Sequence, residues 1–296
     1  MAFCQAAIDD SGNEPNQQIF VLAGFVAPAE NWIAFSLGWD RALKEAPIPL
    51  DYFKFTEAMR LRGQFDKDRG WTEPMRDDQL RTFSEIIRKH ASARFSAAVR
   101  HEHYQRYIRD AAPARVRTLL TDTPYQLLAA RAVVAACTAI MGVNAGDECA
   151  FYFDTQPGQD VILQALWPRL VASIQEGQDN LPPGFTLPRI VGGPRFESEL
   201  DWSPLQASDL LAGAMRTELM TGAVPAALSA LEGIPGNPFN MEEEHLKEMG
   251  DGLERMMEEF QRENPNLPLF HYDAKTARRM RKKAMRGMLP KKPRDA

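Results

Sequence analysis

The residue that most constrains how this chain can fold is Asp209. It sits in the middle of Trp202–Glu218, WSPLQASDLLAGAMRTE, where Leu205, Leu210, Leu211, Ala212 and Ala214 make a mostly apolar helix. A carboxylate in such surroundings is costly unless it is paired, hydrogen-bonded or bound to a cation, so the fold has to bring Asp209 a partner from elsewhere. The N-terminus offers one. Ala2–Ile8 is an apolar strand that ends in Asp9, Asp10, Ser11 and Gly12. Asp147–Asp154, DECAFYFD, repeats that plan, an apolar strand closing on an acid. Asp9, Asp154 and Asp209 therefore form a candidate all-oxygen site, the donor set that hard divalent cations such as Mg²⁺ or Mn²⁺ favour.

The rest of the chain alternates strand and helix. Gln18–Val26 is rich in β-branched and aromatic residues, and the SGNEPNQ link before it has turn composition, which predicts a hairpin with the first strand. A helix follows up to Pro47, then a short strand and short helix within Leu50–Phe65, a helix over Pro74–His90, a strand over Ala93–Val99 and a polar helix in HEHYQRYIRD. Beyond these come an Ala-rich helix from Thr123 to Val143, the Asp154 strand, a helix over Asp160–Gln175 and a strand over Thr186–Val191. GGPRFESELDW reads as a connector into the Asp209 helix, which starts with Ser203 as cap and Pro204 as first residue, Gln206 completing a capping box. This is an α/β chain with a mixed sheet flanked by helices. Residues 1–222 form the α/β domain; residues 223–296, opened by a Pro- and Gly-containing break and continued by a charged helix over Met241–Arg262, form a helical C-terminal extension.

Charge is distributed unevenly. Lys275–Ala296 holds ten Lys or Arg against one Asp, so a net charge of -5 leaves -14 on residues 1–274. A basic tail of this kind is either a solvated end or a polyanion-binding segment. Cys4, Cys137 and Cys149 show no zinc or redox spacing, and MAFCQAAIDD lacks a secretory pattern, so a reducing, cytoplasmic setting is expected. Leu127–Val143 is short and interrupted by Arg131, which suits a buried helix better than a membrane span, and no membrane partner is expected. GxxxxGKS and GxGxxG are absent, which disfavours nucleotide motors and dinucleotide enzymes. His101 and His103 have no third ligand at a metal spacing and read as surface residues. Oligomeric state is not legible.

Taken together, several of these residues resemble a known pattern. They are Asp9, Asp10, Ser11 and Gly12; then Ala23, Gly24 and Trp32; Phe53, Lys54 and Glu57; Asp154; and Ser198 leading into Leu205, Gln206, Asp209, Leu210, Ala212 and Gly213. Over Phe3–Glu218 the chain is similar to the bacterial and phage family named only as domain of unknown function 3800. That resemblance implies a ribonuclease H-like fold, in which three antiparallel strands are followed by parallel ones and acids on the first strand, the fourth strand and a late helix hold metals. Asp10 stands where Glu is commoner, and Pro204 where Gly is usual.

Each residue also has a plainer role open to it. Asp9, Asp10, Ser11 and Asp154 suit turns. Gln206 suits the capping box, or lies one turn before Asp209 on the same face and supports it. Glu57 is a fourth candidate acid or a solvated residue near a helix start, and Lys54 a phosphate contact or a surface lysine. The functional expectation is a Mg²⁺- or Mn²⁺-dependent phosphodiesterase or nuclease, with Asp9, Asp154 and Asp209 as ligands, Glu57 added to the catalytic acids, and Asp10, Ser11, Lys54 and Gln206 around them. DNA and RNA are not distinguished. The alternative is a catalytically silent ribonuclease H-like scaffold or nucleic-acid-binding module.

Overall fold

The computed structural model describes residues 3–14, 16–112 and 123–263; the basic segment Lys275–Ala296 lies outside them. The chain divides into two compact units, Met1–Ala98 with Tyr125–Asn240 and Val99–Pro124 with Met241–Ala296.

The first unit is built on a seven-stranded sheet. Its strands are β1 (Phe3–Ser11), β2 (Ile19–Pro28), β3 (Ala93–Arg100), β4 (Glu148–Asp154), β5 (Arg189–Ile190), β6 (Arg195–Glu197) and β7 (Gly236–Met241). The order is β5-β4-β1-β2-β3-β7, with β6 also paired to β4. β1 and β2 form the expected antiparallel hairpin, Ile8 opposite Gly24 and Ser11 opposite Val21. β4 joins the other side of β1 in parallel, with Ile8 opposite Phe153. One step further along, that register sets Asp9 beside Asp154. β1 runs on through both acids to Ser11, because the hairpin partner continues past them.

Helices cover both faces. Along β2 the side chains alternate: Val21, Ala23 and Phe25 join the main core, whereas Phe20 turns the other way to stack on Tyr125 at 6.2 Å. The main core is closed by α1 (Ala29–Lys44), α2 (Phe55–Arg60), α3 (Glu73–His90) and α6 (Ser203–Thr221). α1 contributes Trp32, Phe35, Trp39 and Leu43 at helical spacing. α3 is capped by Thr72, whose hydroxyl accepts the Met75 amide, and α6 lies directly on β1 and β2. The opposite face carries α4 (Tyr125–Val143), with α5 (Gln159–Gly177) packed on it. By length and composition α4 could cross a membrane, but half of its most apolar stretch is buried inside the fold.

Two of the three glycines of the quoted motif, Gly24 and Gly213, have steric reasons. A Cβ on Gly24 would lie 1.8 Å from the Ala7 carbonyl oxygen, and one on Gly213 would lie 2.0 Å from the Phe55 ring. The first lets β1 and β2 approach; the second seats α2 on α6.

Several expectations are corrected. Leu50–Phe65 contains no strand, because Phe53 spends its amide on a side chain rather than on the sheet. The segment read as the connector GGPRFESELDW holds β6, paired in parallel with β4 from Tyr152–Arg195 to Asp154–Glu197. The break after residue 222 carries a 3₁₀ helix (Ala226–Gly233) and the start of β7, which extends the sheet beyond β3. Ser203 is not the cap of α6. Trp202 holds that place, and the Ser203 hydroxyl bonds Ser36 at 2.8 Å, so the capping box does not form.

In the second unit, a short helical segment (His101–His103) continues as a π turn (Tyr104–Arg109), and α7 spans Glu243–Glu263. The Tyr107 hydroxyl donates to Glu243, and His103 Nε2 stands 3.8 Å from the same carboxylate. Gly250 permits close approach, since a Cβ there would meet the Tyr107 carbonyl oxygen at 2.2 Å.

Candidate metal centre

β1 delivers Asp9 to the face that α6 covers. Strand alternation puts Gln5, Ala7 and Asp9 on one side. On that side the Ala7 carbonyl accepts from Ser208 of α6, and Gln5 donates to the Tyr152 hydroxyl. Asp10 therefore points the other way, where Gln156 Nε2 donates to it at 2.5 Å. Asp209 reaches Asp9 from α6 one turn beyond Gln206, and the two aspartates are only 3% and 4% exposed.

A third acid joins them. Ligand oxygens of Asp9, Asp209 and Glu199 all lie within 4.8 Å of one another. Glu199 was not singled out from the sequence, because it belongs to the stretch read as a connector. The available signal was the alternation of charged and apolar residues in Arg195, Phe196, Glu197, which is the pattern of an edge strand. Three features fix its position. β6 pairs with β4, the Asp154 carboxylate accepts the Glu199 amide at 3.3 Å, and Gln206 Nε2 donates to the Glu199 carbonyl at 2.8 Å. Trp202, three residues on, packs its ring 4.5 Å from Tyr152 of β4.

Asp154 thus borders the group through the backbone of Glu199. Lys54 lies inside it: Nζ donates to Glu199 Oε1 at 2.8 Å and Oε2 at 2.7 Å, and stands 4.0 Å from Asp209 Oδ1. Asp209 Oδ2 accepts the Phe55 amide at 2.6 Å. Gln206 Oε1 accepts from Trp39 Nε1 and from the Phe53 amide, both at 2.9 Å. Its amide group is therefore a buried tie between α1, the Phe53 segment and Glu199. Glu57 is not brought into the three-acid group; its oxygens accept from the Tyr52 hydroxyl and the Gln64 amide. Ser11 ends β1, half-buried.

One oxygen in this pocket stands out. Asp9 Oδ1 accepts the Asp10 amide, but Asp9 Oδ2 is buried with no hydrogen-bond partner among the described residues. Burial in low dielectric penalises a charged carboxylate, and neighbouring acids add to the penalty. Burial, then Asp209 and Asp154, hold the Asp9 carboxyl well above the usual range. Asp209 is pushed up to about 7 by burial, against the opposing pull of Lys54 and the Phe55 amide. Burial and Asp154 raise Asp10 to about 7 as well. Burial also raises Asp154 and Glu199. Oxygen donors, an unpartnered buried lone pair and mutual repulsion together fit a divalent cation held by Asp9, Glu199 and Asp209.

Acids at the end of β1, just after β6 and on a late helix meet, with Asp154 of β4 bordering them, on a sheet in which β1 has an antiparallel and a parallel neighbour. The fold is ribonuclease H-like. Two solved structures are similar at low identity. Ribonuclease H2 from Pyrococcus horikoshii OT3 is 12% identical with a TM-score of 0.35, covering 95% of this chain and 99% of its own. The RNase HII of a complex with PCNA from Archaeoglobus fulgidus is 12% identical with a TM-score of 0.34, covering 91% and 95%. No family model matches the chain, and no curated protein does.

The raised carboxyls set the sign of a pH effect. Between the unfolded value of an aspartate, near 4, and the folded value of Asp209, about 7, the folded state holds more protons than the unfolded one. Stability of the metal-free protein therefore falls as pH rises through that window. Thermal melts in EDTA are expected to give a higher Tm at pH 5.5 than at pH 8 by a few degrees. Asp209→Asn, which has no proton to lose there, reduces the difference; an equal difference in that variant rejects the assignment to this cluster.

Proposed function

We propose that this chain is a Mg²⁺- or Mn²⁺-dependent phosphodiesterase of nuclease type acting on nucleic acid, and a divergent relative of the family named domain of unknown function 3800. The observation that carries the proposal is the buried, unpartnered oxygen of Asp9, a carboxylate that Asp209 and Glu199 join in one group. When bound, a divalent cation supplies Lewis acidity that activates water and stabilises charge on a phosphodiester. The chain's own residues do the positioning. Asp9 and Asp209 enter from a strand and a helix that pack together, Asp154 and Gln206 fix the backbone of Glu199, and the Phe55 amide orients Asp209. Kinship with the family is supported by where its motif residues lie, since Asp9, Lys54, Gln206 and Asp209 gather around one pocket. A reducing cytoplasmic setting is supported by three buried free cysteines.

The test is cleavage of labelled single- and double-stranded DNA and RNA by the full chain. Mn²⁺ or Mg²⁺ is expected to support cleavage and EDTA to abolish it. Removing Lys275–Ala296 is expected to weaken salt-dependent binding while cleavage persists. Binding without cleavage under any metal would leave the silent nucleic-acid-binding module as the reading.

A further inference from the structure

We propose that Lys54 is the resident counter-cation of the acidic pocket and that it competes with the divalent ion for Glu199. The inference rests on the metal reading above and concerns how that site is held when no metal is bound. Both Glu199 oxygens accept from the Lys54 ammonium, at 2.8 and 2.7 Å, yet Glu199 is one of the three acids whose oxygens converge within 4.8 Å. One carboxylate is thus claimed by two cations. The ammonium also stands 4.0 Å from Asp209 Oδ1, so it borders two of the three acids that would hold a divalent ion.

Which cation holds Glu199 is decided by side chains alone, because the backbones are pinned. Glu199 is fixed through its amide to Asp154 and its carbonyl to Gln206. The stem of Lys54 starts from a chain segment fixed on both sides, by the Phe53 amide on Gln206 and the Phe55 amide on Asp209. Its side chain is still 31% exposed, so the lysine lies at the edge of the group rather than sealed within it. A lysine suits this exchange: it is a compact point charge on a flexible stem, with donors that reorient freely. Two cations sharing one carboxylate in a poorly solvated pocket repel strongly. The ammonium therefore offsets one of the acidic charges in the metal-free protein and yields Glu199 when a divalent ion enters. Once released, it stands at the open edge of the site as a positive charge toward an anionic substrate.

The two ideas are separable by experiment. Mn²⁺ uptake by the full chain is measured from the loss of the free-ion electron paramagnetic resonance signal, for the natural sequence, Lys54→Gln and Lys54→Arg. Lys54→Gln is expected to bind Mn²⁺ at least about tenfold more tightly, because the competing charge is gone, whereas Lys54→Arg stays close to the natural protein. Metal-free Lys54→Gln is expected to melt lower and to regain more from Mn²⁺ than the natural protein does. Unchanged or weaker binding in Lys54→Gln, or tightening in Lys54→Arg as large as in Lys54→Gln, overturns the competition and leaves the metal site standing. No Mn²⁺ uptake by any of the three overturns the metal reading and the competition with it.

Discussion

Asp209→Asn is expected to abolish divalent-metal binding while leaving the fold intact. Asparagine has nearly the same shape, and its amide oxygen can still accept the Phe55 amide that Asp209 now holds at 2.6 Å. What disappears is the charge, together with a ligand from the group formed with Asp9 and Glu199. A hard cation depends on carboxylate charge for its affinity, so a loss of at least about a hundredfold is expected in a Mn²⁺ titration followed by calorimetry. The metal-free variant is expected to melt no lower than the natural protein, because one of several mutually repelling buried acids has been neutralised. Asp10→Asn serves as the contrast. Asp10 faces Gln156 across the sheet from Asp209, so its removal is expected to weaken Mn²⁺ by less than about tenfold. An unaltered titration in Asp209→Asn would take Asp209 out of the ligand set.

The second large effect concerns a residue that need not touch metal. Gln206→Ala removes an amide group that accepts from Trp39 Nε1 and the Phe53 amide and donates to the Glu199 carbonyl. All three partners lose their bond, and two of those contacts are fully buried. Leaving a buried donor or acceptor unpaired costs about 1–3 kcal/mol each, so a loss of roughly 3–6 kcal/mol is expected by urea unfolding. In a domain of this size that lowers Tm by about 10 °C or more. Because the Glu199 carbonyl is one of the lost partners, Mn²⁺ affinity should fall as well. Loss of stability below about 1 kcal/mol would show that water replaces the amide and that Gln206 is no structural tie.

The acids that matter most were legible for different reasons. Asp209 is conspicuous because helical periodicity places a charge among apolar neighbours, and burial there has few solutions. Asp9 and Asp154 are visible as the ends of two apolar strands, and alternation already says that Asp9 and Asp10 part company. Lys54 could be named but not placed, since a lysine beside aromatic residues reads the same on a surface as in a pocket. On spacing alone Gln206 suits either a capping box or a support for Asp209 on the same helical face. Three residues further along the chain is a geometry that a cap and a tertiary hydrogen bond share, and only the positions of Trp39 and Phe53 separate them. Glu199 was missed because three residues of edge strand carry too little pattern to stand apart from a loop.

Local chemistry written along the chain, strand alternation, helical periodicity and glycine where Cβ atoms cannot fit, determined the α/β class, the hairpin and the two faces of the sheet. Those rules act over a few residues, so the sequence needed no partner to express them. Tertiary structure alone decided that β6 pairs with β4, that Glu199 rather than Glu57 meets Asp9 and Asp209, and that Lys54 lies among them. Such choices depend on residues from tens to well over a hundred positions apart being packed to within hydrogen-bond range, and no local pattern carries that distance.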